Sequence, residues 1–511
     1  MNVINDNWLF VRYLDDTIRQ ISVRQAFIDA EQIKNIETPV FHGTPVKLYE
    51  VSVMQFLAVI VLAAYFKPEN GFRAKAKFFN LSSEWDTDLI LKYLDQWETR
   101  FELFDEKYPF LQDPSLKGQA NFDNTSAASY VSKISILAPG KNNIVFEHRA
   151  NTQFDMEHYA PTLDELVYIL LFTGFMGTSP MAQQYPNKTL NANATLFVVN
   201  YKDNLKESII CNALPIRESV SDGMYDRPVW ELDSRSDIAK FDDSSIAKNV
   251  LLCSFFPSFP IYVAYQDNVI RDIVLPHSAV IDTEKRRAIE NAYIFVNPCC
   301  VRRVSKDKDK TTNTEIQRSS YLEWRTTTKL INLCVDATKK FPEGAACKLF
   351  DVAYQQIKDV KSVLYYREYD DMKSNVLSFG SYSLPQGVFE ILSLDTNHEQ
   401  AVRFVELTTT LNTKFSVLAK SISGNNLNTY KKTFYSFAEN YFFNEFIPQI
   451  ETPDIIEKTA KLFIEKIKQD VLTFAYTNTN PLKYAQDYRI FCATLNKLQK
   501  TYESEKEIAD D

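Results

Sequence analysis

Eight cationic side chains, Lys285, Arg286, Arg287, Arg302, Arg303, Lys306, Lys308 and Lys310, share one short stretch with only three acids, Glu290, Asp307 and Asp309. A local charge of +5 within a chain of formal net charge −9 attracts phosphate at that place and not over the whole surface. The alternation from Lys306 to Lys310 equally suits a solvated loop, and the residues alone leave both readings open. A smaller cluster, Arg73, Lys75 and Lys77, reads as a solvated face.

Catalytic chemistry finds less to work with. His42, His148, His158, His277 and His398 are too dispersed for a metal site, and the Cys299-Cys300 pair has no second pair to complete a thiolate set. Glycine numbers 11 in 511 residues, where ordinary usage of about 7% would give about 36. Their positions form neither a dinucleotide fingerprint nor a phosphate-binding P-loop, and no serine sits on a G-x-S-x-G elbow. The expectation is a protein without catalysis, metal or cofactor. Seven irregularly spaced cysteines and the absence of a secretory start suit a reducing cytoplasm. The longest apolar run, Phe56 to Phe66, is shorter than the roughly 20 residues that span a bilayer, so a buried helix is expected there and no membrane partner.

The elements that must carry these groups follow from periodicity. Trp8, Phe10, Val11 and Tyr13, a turn at Asp15-Asp16, then Ile18 and Ile21 predict a hairpin. Ser22 and Gln25 form a capping box for a helix with Ala26, Phe27 and Ile33 inward. Asp86 or Thr87 opens another, with Leu91, Leu94, Trp97 and Phe101 as its stripe and Pro109 at its exit. Residues 112–160 read as a long surface excursion. Thr162 and Glu165 cap a helix with Leu166, Ile169, Leu170 and Thr173 inward, ending near Gly174 or Gly177. Strands are expected at 195–199 and 259–263. Beyond Asp395, four segments with helical spacing (to about 418, then 428–447, 453–474 and 481–504) predict an antiparallel four-helix bundle. The fold class is therefore α+β: a large mixed domain over 1–392 and a bundle over 393–511.

Two blocks resemble a known family. Asn2 to Val11 followed by Ile21 to Phe27 resembles the opening of the CasA family, the large subunits of type I-E CRISPR Cascade surveillance complexes. Tyr93 to Trp97, Arg100 to Asp105 and Tyr108 to Gln112 are similar to that family's Trp-x-x-x-Phe-x-Leu-Phe and Pro-Phe-x-Gln segment. Phe437 to Phe443 is a weaker match to a helix of the family's bundle.

The resemblance implies a non-catalytic subunit beside the 5′ handle of the CRISPR RNA. Such a subunit reads the motif flanking a target in double-stranded DNA, promotes local unwinding and R-loop formation, touches the small and backbone subunits, and offers a platform to a recruited helicase-nuclease. Gly380 to Gly387 resembles the element bearing the family's glutamine wedge, which makes Gln386 its candidate, and Pro385 with Gly387 favours a tight turn around it. The family's minor-groove lysine corresponds to Lys285 or Arg286. Phe146 occupies the place of the aromatic that stacks on the RNA handle, or else anchors its loop to the core. Where the family approaches DNA with several glycines, this chain has Ser179 to Lys188, and Gln183, Gln184 or Asn187 would have to substitute. The competing readings are a helical scaffold or adaptor outside CRISPR systems and, behind it, an orphan hydrolase.

Overall fold

The computed structural model describes residues 1–41, 43–67, 70, 86–123, 161–177, 196–218, 226–233, 250–255, 261–274, 360–369, 376–384, 388, 391, 394–423, 434, 436–475 and most of 485–500. The chain divides into two compact units: Met1–Ile316 with Val335–Gln386, and Gln317–Cys334 with Gly387–Asp511.

The first unit opens with β1 (Leu9–Tyr13), which pairs antiparallel with β2 (Ile18–Ile21) and with β3 (Ile33–Ile36) in the order β2-β1-β3. Asp16 turns the hairpin at φ +63°, where a short polar side chain is tolerated best among non-glycine residues. Between β2 and β3 lies α1 (Val23–Ile28), capped by Ser22 Oγ accepting from the Gln25 amide at 3.0 Å. Ile33, expected on this helix, is the first residue of β3; Asp29 closes α1 after barely two turns.

A short antiparallel pair, β4 (Val40–Phe41) with β5 (Thr44–Pro45), leads to the organising element, α2 (Leu48–Tyr65), which is buried on every side. An amphipathic stripe suffices where a helix has one packed face, whereas α2 is enclosed all round. Against it lie α3 (Thr87–Trp97), α4 (Leu163–Phe175), α5 (Leu205–Glu218), α6 (Val250–Ser254) and the sheet of β6 (Leu196–Tyr201), β9 (Lys361–Tyr369) and β10 (Val376–Ser383). This helix has the length and apolarity of a membrane span, but its neighbours are protein. The second sheet runs β10-β9-β6, all antiparallel, and a hairpin joins β7 (Tyr262–Gln266) to β8 (Val269–Val274).

One stripe differs from the expectation and another is wider than it. On α3 the buried residues are Ile90, Tyr93 and Leu94, while Leu91 and Trp97 are half-buried; the helix gives way at Glu98 to a 3-10 turn that buries Phe101. On α4 the expected Leu166, Ile169, Leu170 and Thr173 are buried, and so is every other residue from Glu165 to Phe175. Thr162 caps it by accepting from Glu165 N at 3.2 Å, and Gly177, at φ +60°, ends it in the left-handed conformation with its amide on the Thr173 carbonyl.

The second unit holds α7 (Asp395–Ser423), a π turn at Phe442–Phe446 running into a 3-10 turn at Ile447–Gln449, and α8 (Ile455–Ala475); the described residues from 485 to 500 are helical. Phe404 of α7 lies 4.6 Å from Phe446 and 5.7 Å from Phe463 of α8, ring centre to ring centre, so aromatic side chains bind these helices together.

Candidate functional site

The two motif blocks, ninety residues apart, form one structure. The Asn2 side chain accepts from the amides of Ile4 and Asn5 and donates to the Glu98 carbonyl and the Glu102 carboxylate at 3.1 and 2.9 Å. Val3 N donates to Phe101 O and Leu103 N to Met1 O, while the Trp8 indole donates to Val3 O at 2.6 Å. An asparagine is suited to this place because it donates and accepts at once.

From this lock the chain enters a hub at 109–113. Asp105 accepts from the amides of Lys107 and Tyr108, making a turn that delivers Phe110 between Phe56 and Phe101. Gln112 Nε2 donates to Leu103 O at 2.6 Å and its Oε1 accepts from Val263 N at 2.8 Å, so a single buried amide ties the loop to itself and to β7. Asp113 N bonds Ile261 O. Gly174 of α4 faces the same hub: a β-carbon there would stand 3.3 Å from Phe255 and 3.4 Å from Leu111.

Beside the hub lies a cleft of about 170 Å³ lined in part by Arg100, Lys107, Tyr108, Ser115, Trp230 and Asp233. The Arg100 guanidinium lies 3.3 Å from the centre of the Tyr108 ring, donates to Leu232 O at 2.9 Å and pairs with Asp233 at 2.8 Å. Among the described residues no three His, Cys, Asp or Glu side chains converge to hold a metal.

All the residues singled out from sequence, Gln386, Lys285, Arg286, Gln183, Gln184, Asn187 and Phe146, lie outside the described residues, as do Arg73, Lys75, Lys77, Cys299 and Cys300. Four described points lead into their segments. Leu384 precedes Gln386 by two positions, Gly177 ends α4 ahead of Gln183, Val274 ends β8 ahead of Lys285, and Asp123 leads toward Phe146. Two of these points lie near one bond: Asn121, two residues before Asp123, donates its amide to the carboxylate of Asp272, two residues before Val274, at 2.8 Å.

Sequence reasoning missed the polar groups that hold β9. Glu50, in the first turn of α2, accepts hydrogen bonds from Thr38, Tyr201 and Tyr365, and the two phenols lie 2.9 Å apart. Burial outweighs those bonds and raises the Glu50 carboxyl above its ordinary pKa; burial likewise pushes both phenols well up. The sequence signal for this group was one acid at the head of an apolar helix. On the other side of the sheet, Asn200 accepts from Ser362 Oγ at 2.8 Å and exchanges bonds with Asn212 of α5.

A family model described as CRISPR-associated protein Cse1 matches residues 2–451. No curated protein sequence matches. Among solved structures, Cse1 of Thermobifida fusca superposes with a TM-score of 0.69 at 16% identity, over 98% of both chains. CasA (Cse1) of Thermus thermophilus gives 0.61 at 14%, over 97% of this chain and 99% of that one. A chain of a CRISPR RNA-guided surveillance complex gives 0.66 at 16%, again over 97% and 99%. At these identities the structural likeness concerns the fold.

Proposed function

The chain belongs to the CRISPR-associated Cse1 family, and from that membership we propose that it is the large, non-catalytic subunit of an RNA-guided surveillance complex of the Cascade type. In this reading guide pairing supplies sequence specificity, and the chain supplies recognition of the short motif flanking the target in duplex DNA. Gln386 enters beneath the flanking base pairs as a wedge. Lys285 or Arg286 reaches the minor groove, whose degenerate pattern few contacts suffice to read. Gln183, Gln184 or Asn187 replaces a close backbone approach to the same base pairs, and Phe146 stacks on the RNA handle. The region beyond residue 392 completes a four-helix bundle that meets the small subunits and the displaced strand, and the subunit offers the docking platform for the helicase-nuclease. The complex works in the cytoplasm.

The observation that carries this reading is the family match across residues 2–451. The test is duplex binding by the reconstituted complex, with matched target DNA, carrying Gln386→Ala or Lys285→Ala. Each substitution should weaken target binding by about 1 to 3 kcal/mol if the side chain reads bases directly. Unchanged binding in both removes these assignments.

A further inference from the structure

A row of three residues crosses the β10-β9-β6 sheet where β10 ends. Asn200 of β6 pairs with Ser362 of β9, and Leu384, one residue beyond β10, donates its amide to the Ser362 carbonyl at 2.9 Å. Ser362 Oγ donates to Asn200 Oδ1 at 2.8 Å. Asn200 is held in turn by Asn212: its amide donates to Asn212 Oδ1 at 3.0 Å, and Asn212 Nδ2 donates to its carbonyl at 2.7 Å and to that of Ser208 at 2.7 Å. Asn200, Asn212, Ser362 and Leu384 are each at most 2% exposed.

Apolar side chains would fill this site at less cost in desolvation. The arrangement even leaves Asn200 Nδ2 buried with no acceptor among the described residues. A polar relay that does not fully satisfy itself is poor as a stabiliser, but it is directional: it fixes the carbonyl of Ser362, and through it the last ladder bond before the chain reaches Pro385 and Gln386.

We propose that Ser362, oriented by Asn200 and Asn212, is a positioning residue for Gln386, fixing the point at Leu384 from which the chain continues toward it. The inference rests on the reading of Gln386 as the wedge. Hydroxyl and amide act here through the backbone at Leu384, and neither touches nucleic acid.

The test uses the reconstituted complex and a matched duplex bearing 2-aminopurine beside the flanking motif, with fluorescence reporting local opening. Ser362→Ala should reduce the opening rate roughly tenfold, within the range of coupling energies between residues of one network, and Ser362→Thr should restore it. In a Gln386→Ala background Ser362→Ala should cost nothing further, because a positioning residue has nothing left to position. Hydrogen exchange at the Leu384 amide should quicken in Ser362→Ala while that of Val199 stays protected. Ser362→Cys, close in size, replaces alanine if that variant does not fold. Multiplicative defects of Ser362→Ala and Gln386→Ala, or wild-type opening in Ser362→Ala, overturn the inference. Wild-type opening in Gln386→Ala alone overturns the wedge reading and the inference's function with it, whereas unchanged Leu384 exchange overturns only the relay.

Discussion

The phenol of Tyr365 donates to the carboxyl of Glu50, 315 positions earlier in the chain, and so pins β9 to the head of the buried helix α2. With Thr38 and Tyr201 on the same carboxyl, one side chain joins the segment before β4 (Val40–Phe41), α2, β6 and β9. Removing one of these donors tests how firmly: Tyr365→Phe should destabilise the purified chain by about 1 to 2 kcal/mol, read by urea denaturation.

The same carboxyl gives a pH dependence with a definite sign. Burial raises its pKa in the folded state above the ordinary 4.5, so the folded protein holds the Glu50 proton more tightly than the unfolded chain. Its contribution to stability is therefore greatest below about 4.5, declines as pH rises through the raised value, and is constant beyond it. The stability difference between wild type and Glu50→Gln, followed from pH 4.5 upward, should shift in favour of the glutamine variant. A difference independent of pH would contradict the assignment.

Gln112 satisfies two buried backbone groups, Leu103 O and Val263 N. Gln112→Leu should cost about 2 to 4 kcal/mol, since both are left without partners. Gln112→Glu should be no better while its carboxylate is ionised, because it cannot donate to the Leu103 carbonyl. Chemical denaturation of the three proteins at neutral pH checks both statements.

Arg100 bonds a carbonyl, a carboxylate and an aromatic face at once, which a lysine cannot reproduce. Arg100→Lys should lose about 1 to 3 kcal/mol, and a double-mutant cycle with Tyr108→Leu should show most of the loss shared. Asp233→Asn, at a side chain 82% exposed, should change stability by less than about 1 kcal/mol.

Thiol reactivity should follow burial. Cys211 is buried and its pKa is pushed up to about 12, and burial raises Cys253 as well, whereas Cys492 is half-buried. Mass-spectrometric mapping after brief iodoacetamide treatment at pH 8 should find Cys492 modified well ahead of Cys211 and Cys253.

Local chemistry was legible in the sequence. Ser22 and Thr162 cap their helices as their types predict, Asp86 and not Thr87 caps α3, and the Asp15-Asp16 turn closes its hairpin, because a cap or a tight turn is decided within a few residues. The motif blocks at 2–11 and 93–112 were legible as motifs, but not as the lock and hub they form. What Asn2, Gln112, Glu50, Asn200 and Ser362 do depends on partners 96, 151, 315 and 162 positions away, which no local pattern encodes. The stripes on α3 and α4 were legible only in part: α4 buries the expected Leu166, Ile169, Leu170 and Thr173 but also every residue around them, while α3 turns Ile90, Tyr93 and Leu94 inward and leaves Leu91 and Trp97 half-buried, because the assembled neighbours decide which face remains in water.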